Sequence, residues 1–350
     1  MPETAPPAPL TFGVRIPPCV RIDQVAETVA LAERNGFDAA WIPDSQMLWR
    51  DTYTALALSA VRTSSINLST GVTNFRTRDV TVIASAINTI HELAPGRVSL
   101  GVAIGDSSVK LISAAPGTRR ELRESIATVR SLLEGERLDF GGRTTGLYGA
   151  LGPVPIHLAA NGPRTLELAG EIADGVLTLG GIAPAPLTAA RQAIERGLAT
   201  AGREWGDVAF TAGSIFRVTD DIERDAAILK PVCLHIASIG GQASLAQAGI
   251  ELAAPDSIPE VYPDFVHAED WDLAVEIASK YVTDDMAVRF AQTFCLFGTV
   301  DEIFERMQRA VDIGVSAFCL RDVGTYTMPN ELIEAFGSDI LPRLRATPAG

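Results

Sequence analysis

The residues best equipped for chemistry sit in Gly105-Asp106-Ser107-Ser108, directly after the β-branched run Val98 to Ile104. A carboxylate, two hydroxyls and backbone N–H donors meet there beside a glycine that lets the backbone turn tightly or approach a ligand. A strand that merely stops at a Gly-Asp turn is the plain alternative for this segment. What favours chemistry is repetition, because other polar segments also close apolar runs. Pro43-Asp44-Ser45-Gln46 follows Phe37 to Ile42, and Thr73-Asn74-Phe75-Arg76 follows Ile66 to Val72. Ala160-Asn161-Gly162-Pro163-Arg164 closes Pro155 to Ala160, and Arg321-Asp322 follows Ser316 to Leu320.

The elements that must position these loops alternate between strand and helix. Leu10 to Ile16, Phe37 to Ile42, Ile66 to Val72 and Val98 to Ile104 read as strands, separated by helices at Asp23 to Gly36, Ala55 to Val61 and Asp79 to Leu93. Asp23 is the expected cap of the first helix. In the second half, Pro155 to Ala160, Gly175 to Leu179, Val208 to Val218 and Ser316 to Leu320 read as strands. Helices are expected at Arg119 to Leu133, Pro163 to Ala173, Leu187 to Ala201, Gly298 to Ile313 and Asn330 to Leu344. Gly135 to Gly152 reads as a hairpin excursion, Ile239 to Phe265 as an insertion or lid before the last strand, and Trp271 to Phe290 as one or two helices.

Eight strands separated by helices, at a spacing of about 25 to 40 residues, give the rhythm of a (β/α)8 TIM barrel, an α/β fold. A doubly wound sheet would carry G-x-G-x-x-G after its first strand, where this chain has Arg15-Ile-Pro-Pro-Cys19. In a barrel the loops at the C-terminal strand ends form one mouth, so Asp44, Thr73 to Arg76, Gly105 to Ser108, Ala160 to Arg164 and Arg321-Asp322 converge. The expected layout is a disordered leader over residues 1–9 and one barrel domain over 10–345.

Composition narrows the class. The chain has 350 residues, 47% hydrophobic and 21% charged, enough for one large barrel core. A formal charge of -14 argues against non-specific binding to nucleic acid or an anionic membrane. Cys19, Cys233, Cys295 and Cys319 are far apart and lack metal-ligand spacing, so no metal site is expected and reduced thiols in the cytoplasm are. His91, His157, His235 and His267 read as structural, with His157, on the fifth strand, the most open to another role.

The chain resembles the luciferase-like flavin and deazaflavin oxidoreductases, and within them the methylenetetrahydromethanopterin reductase group, which uses coenzyme F420. The resemblance rests on Ala40-Trp41-Ile42-Pro43-Asp44, Gly71-Val72-Thr73-Asn74, Gly96-Arg97-Val98-Ser99-Leu100-Gly101 with Gly105-Asp106, and Ala160-Asn161-Gly162-Pro163. It continues through Ala169-Gly170-Glu171-Ile172-Ala173-Asp174-Gly175 and Phe297-Gly298-Thr299-Val300-Asp301-Glu302. It spans about Thr11 to Leu344 apart from the insertion.

The resemblance implies a non-prolyl cis peptide at Gly71-Val72 backing the flavin ring, with Thr73 and Asn74 beside it. It implies a phosphate-binding loop at Ala160, Asn161, Gly162, Pro163 and Arg164. That role is physically sound, because a small-residue loop feeding a helix N-terminus presents unpaired N–H groups to an anion. The same loop would hold the phosphate of F420 or FMN. Asp44 corresponds to an acidic residue touching the deazaflavin, and the next residue, a His in many F420-dependent members, is Ser45 here. A Ser hydroxyl does not titrate near neutral pH, so Asp106 is the replacement acid/base and Gly105 belongs to the cofactor-binding loop. Ile16, Trp49, Phe75 and Ser107 are expected to line the substrate pocket.

The function implied is an oxidoreductase in which a reduced deazaflavin ring exchanges a hydride with a small organic substrate, reduced cofactor being regenerated by a separate reductase. A monooxygenase using reduced FMN and O2 is the alternative, and a barrel that only binds a flavin or ligand is a third. Relatives imply a homodimer through helices of the early repeats.

Overall fold

All eight expected strands form, and they close into a ring. The computed structural model describes residues 10–346 apart from 254 and 256. The expected leader, residues 1–9, lies outside the described residues. In chain order the strands are β1 (Thr11–Arg15), β2 (Ala39–Ile42), β3 (Asn67–Thr70), β4 (Thr73–Asn74), β5 (Val98–Ala103), β6 (Arg137–Asp139) and β7 (Thr144–Gly146). There follow β8 (Ile156–Ala159), β9 (Gly175–Thr178), β10 (Ala209–Val218), β11 (Leu296–Gly298) and β12 (Ala317–Arg321). The barrel runs β1-β2-β3-β5-β8-β9-β10-β12 and back to β1, every pairing parallel. Closure leaves this ring without an edge, and the surrounding helices bury its outer face.

Strand alternation sorts the side chains. Phe12 and Val14 of β1 face outward into the main helix–barrel core with Leu68, Leu100, Ile156, Phe210 and Phe318. The inward positions hold a different set, centred on Trp41, Leu177 and Cys319. Trp41 fills the interior because its neighbours give way. A Cβ on Gly13 would lie 2.6 Å from Trp41 Nε1, and one on Gly71 would lie 2.7 Å from Trp41 Cβ. One on Gly101 would strike the Thr70 carbonyl. His157 meets Trp41 edge-on, ring centroids 5.3 Å apart, and burial pushes its pKa down to about 4. His157 is therefore interior filling, as expected of a structural histidine.

Local structure adds detail to this ring. The first helix spans Ile22–Arg34 with Arg21 at its N-cap, so Asp23 sits inside the first turn instead of capping it. β6 and β7 form an antiparallel hairpin in the stretch after the helix Arg119–Leu133. Trp271 to Phe290 resolves into helices Trp271–Ala278 and Asp284–Phe294. A helix over Lys230–Ser238 was not anticipated; with Leu229, Leu245, Val282 and Phe290 its Cys233 and Leu234 build a second apolar cluster above β10. β10 reaches this cluster because its last residues leave the ring to pair with β11, Val218 opposite Gly298. Among the described residues no helix is long and apolar enough to cross a membrane.

Candidate active site at the barrel mouth

The loops after β2 and β3 are tied by one carboxylate. Asp44, 4% exposed, accepts a hydrogen bond from Thr73 Oγ1 at 2.7 Å and is gripped by Arg78, Nε to Oδ2 at 2.8 Å and Nη2 to Oδ1 at 3.1 Å. Arg78 also reaches Asp51 Oδ2 at 2.7 Å. Asp51 in turn caps the helix Thr52–Arg62 by accepting from Thr54 N at 2.8 Å. Burial opposes the Arg78 charge, but Asp44 and Asp51 outweigh it and raise its pKa. Between β3 and β4 the Gly71–Val72 peptide is cis, as the resemblance implied.

The loop after β5 is fastened to both neighbours. Asn74 donates to Ser108 Oγ at 2.9 Å while its carbonyl oxygen accepts from the N–H groups of Arg76 and Thr77 at 2.9 and 3.0 Å. Ser107 Oγ donates to Ser45 Oγ at 3.3 Å, and Gln46 Nε2 donates to the Ser108 carbonyl at 2.9 Å. Gly105 makes the bend with φ +96, a backbone region that favours glycine. Asp106, its side chain 65% exposed, pairs with Lys110 one helical turn on.

Trp49 joins the loop after β2 to the loop after β12, two strands away around the ring. Its indole N–H donates to the Thr325 carbonyl at 3.2 Å, the Arg15 guanidinium lies 4.9 Å from its ring centre, and His267 stands edge-on at 5.8 Å. Asp264 holds His267 through Nδ1 at 2.8 Å. Burial opposes the Asp264 carboxylate, but the His267 ring together with the N–H groups of Val266 and His267 outweighs it, so its pKa is lowered. Sequence reading treated His267 as structural, since nothing in its neighbourhood announces that the insertion folds back onto the mouth. Arg78 was missed as well. Its only signal was a basic residue one position before the helix-capping Asp79.

The loop after β8 supplies an open helix start. Ala160 is buried, its N–H bonded to the Leu177 carbonyl at 2.9 Å, whereas Asn161, Gly162, Pro163 and Arg164 are exposed. Asn161 Oδ1 accepts from Leu179 N at 2.7 Å, which fixes the loop against the end of β9. Gly162 begins the helix Pro163–Ile172 with no side-chain cap and has no atom within 4 Å of where a Cβ would stand. That empty cradle, at N–H groups without intrahelical partners, fits an anionic phosphate.

The structure thus brings together Asp44, Ser45, Trp49, the 71–74 segment and Gly105 to Ser108. It does not place Ile16 with them: this side chain is fully buried and continues the outward alternation of Phe12 and Val14 into the main core. Phe75 lines a separate cleft with Ala103, Ile104, Gly117 and Leu122, beside the helix Arg119–Leu133. All four cysteines are free thiols, and burial pushes Cys233, Cys295 and Cys319 up to about 12, which leaves them unreactive. Among the described residues no cluster of His, Cys, Asp or Glu could hold a metal ion.

A family model described as luciferase-like monooxygenase matches residues 7–317. Across 344 residues the chain is 32% identical to 5,10-methylenetetrahydromethanopterin reductase of Methanolobus tindarius, covering 95% of this chain and all of that protein. The fold matches coenzyme F420 dependent tetrahydromethanopterin reductase from Methanopyrus kandleri with a TM-score of 0.76 at 25% identity, covering 96% and 100% of the two chains. It also matches an F420-dependent secondary alcohol dehydrogenase in complex with an F420-acetone adduct, with a TM-score of 0.73 at 19% identity over 97% and 100%. A barrel whose mouth is clasped at Asp44 and Asn74, together with a family match over most of its length, leads to one conclusion: the chain belongs to the luciferase-like monooxygenase family.

Proposed function

We propose that this protein is an F420-dependent oxidoreductase that transfers a hydride to or from a small organic substrate. The observation that carries this reading is the mutual fastening of three mouth loops, Asp44 to Thr73 and Arg78, Asn74 to Ser108, and Ser45 to Ser107. The kinship with F420-dependent reductases supports it from an independent direction.

The residues present fit the cofactor. Gly71, Val72, Thr73 and Asn74 form the wall that would back the deazaflavin ring, with Gly105 on the adjoining loop. Ala160, Asn161, Gly162, Pro163 and Arg164 would take its phosphate at the open helix start. The bound deazaflavin supplies the carbon that accepts or donates the hydride. Asp44 has both oxygens engaged, so its part is to hold the 71–74 wall in place through Thr73 and Arg78. Asp106 carries a titratable carboxylate on the loop that Ser45 and Asn74 fasten, and it exchanges the proton that the substrate gains or loses. Ser45 and Ser107 offer hydroxyls that orient the reacting group. Trp49, buried and pinned to Thr325, excludes water from that side.

The assignment extends to a cytoplasmic enzyme supplied with reduced cofactor by a separate reductase. A homodimer through the helices Thr52–Arg62 and Val80–Leu93 is supported by the exposed Val61 and Val82, 61% and 51% accessible. Mixing the protein anaerobically with reduced F420 and a panel of small carbonyl and imine substrates tests the reaction class. Substrate-dependent reoxidation of F420 without O2 is expected; turnover that requires O2 and reduced FMN would overturn the assignment.

A further inference from the structure

Among the described residues, two arginines at the rim of the barrel have no counter-charge. Arg15 ends β1 and Arg321 ends β12, and the register places Val14 opposite Leu320, so the next residues on each strand stand side by side. Strand alternation puts both on the inward face with Gly13 and Cys319, at its mouth end. Among the described residues neither arginine forms an ion pair or donates a side-chain hydrogen bond. The Arg15 contact is the Trp49 ring at 4.9 Å, and Arg321 Nε is buried without a partner. Arg78, on the same mouth, has two carboxylates.

Such an arrangement is costly. Burial and the neighbouring Arg321 lower the Arg15 pKa to about 10, which leaves it cationic near neutral pH, and burial lowers that of Arg321. Both arginines are half-buried, and like charges partly withdrawn from water destabilise a fold, which an anion between them offsets. Arg321 also borders a cleft lined by Leu179, Ser214, Ile215, Phe290, Phe294 and Cys295, of about 30 Å³ and so large enough for water only. The ring order sets β8, which carries the Ala160–Arg164 loop, four strands from β1 and so across the barrel. The mouth therefore has two anion sites on opposite sides, and a phosphate seated on the β8 loop leaves the arginine pair free.

We propose that Arg15 and Arg321 form the subsite for an anionic group of the substrate, a carboxylate or phosphate monoester. This rests on the reading of the mouth as an F420-dependent active site. Paired guanidinium forks suit either group, because each offers parallel N–H donors to two oxygens.

Calorimetric titration of the F420-loaded protein with benzoate, phenyl phosphate and the neutral benzyl alcohol tests the subsite without turnover. At least one anion is expected to bind about tenfold or more tightly than benzyl alcohol. Arg321→Gln should bring that anion to the level of benzyl alcohol while F420 affinity stays unchanged, and Arg321→Lys should keep part of the preference. Equal binding of all three probes to the wild-type protein overturns the proposal, and so does an anion preference that survives Arg321→Gln. The wild-type comparison needs no variant to fold. F420 binding is measured in the same series, so failure of the cofactor to bind strikes the assignment of function, whereas loss of anion preference with F420 bound strikes the arginine pair alone.

Discussion

Arg78 closes on Asp44 with two nitrogens of its guanidinium, at 2.8 and 3.1 Å, and shares the second with Asp51 at 2.7 Å. One side chain thereby fixes the loop after β2, the wall after β3 and the start of the helix Thr52–Arg62. Arg78→Met leaves the Asp44 carboxylate buried and without its cation, an expected loss of about 3 kcal/mol in stability. Asp44→Asn combined with Arg78→Met should cost less than the sum of the single changes. Urea unfolding of the four proteins in a double-mutant cycle checks this; additive losses would show that the pair does not act as a unit.

Asp106 lies outside the tightly packed part of the mouth, with most of its side chain in solvent and Lys110 as its partner. Exposed pairs of this kind contribute little, so Asp106→Asn should change stability by less than about 0.5 kcal/mol. Turnover should nevertheless fall by about 100-fold or more if the carboxylate moves a proton. Steady-state kinetics beside a thermal melt separate the two effects. Wild-type turnover in the variant would reduce Asp106 to a turn residue.

The open start of the helix Pro163–Ile172 gives a clean test of the phosphate site. Gly162 has φ −81, which any residue adopts, and empty space where a side chain would project. Gly162→Leu should lower the melting temperature only slightly, through loss of a favoured N-cap residue, and weaken F420 binding by about tenfold or more, by filling the anion cradle. Fluorescence titration measures the change, and an unaltered affinity would move the phosphate elsewhere.

Glu33 governs part of the acid stability. Its Oε1 accepts from the N–H groups of Ser64, Ser65 and Ile66 at 2.8, 2.6 and 3.0 Å and from Ser65 Oγ at 2.9 Å. Burial works against the carboxylate, but these donors prevail and bring its pKa from 4.5 down to about 2. A value lower in the folded than in the unfolded chain stabilises fully above about pH 4.5 and progressively less as pH falls toward 2. Glu33→Gln should therefore cost about 2 kcal/mol near neutral pH, allowing for solvent screening, and almost nothing near pH 2. A gap between the two proteins that does not narrow on acidification would contradict this origin.

How far the molecule could be read in advance depended on how local the signal was. The eight barrel strands were legible because each is a short apolar run ended by its own polar loop, and that punctuation requires no partner to be known. Asp44, Asn74 and Gly105 to Ser108 were legible as a convergent group for the same reason, once the barrel was inferred. Arg78 was not, because its importance comes from a carboxylate 34 positions earlier that only folding brings within reach. Ile16 was expected on the pocket wall, yet the parity of β1 turns it into the outer core with Val14. His267 lay in a Pro-rich stretch with no periodicity, so its place against Trp49 was invisible until the insertion could be seen folded over the rim.

The central claim is that the mouth binds a deazaflavin, and equilibrium titration of the purified protein with F420 and with FMN, each followed by calorimetry, tests it most directly. The account predicts saturable F420 binding near one equivalent per chain, with FMN about tenfold weaker or more. Tighter binding of FMN, or no binding of F420, would contradict it.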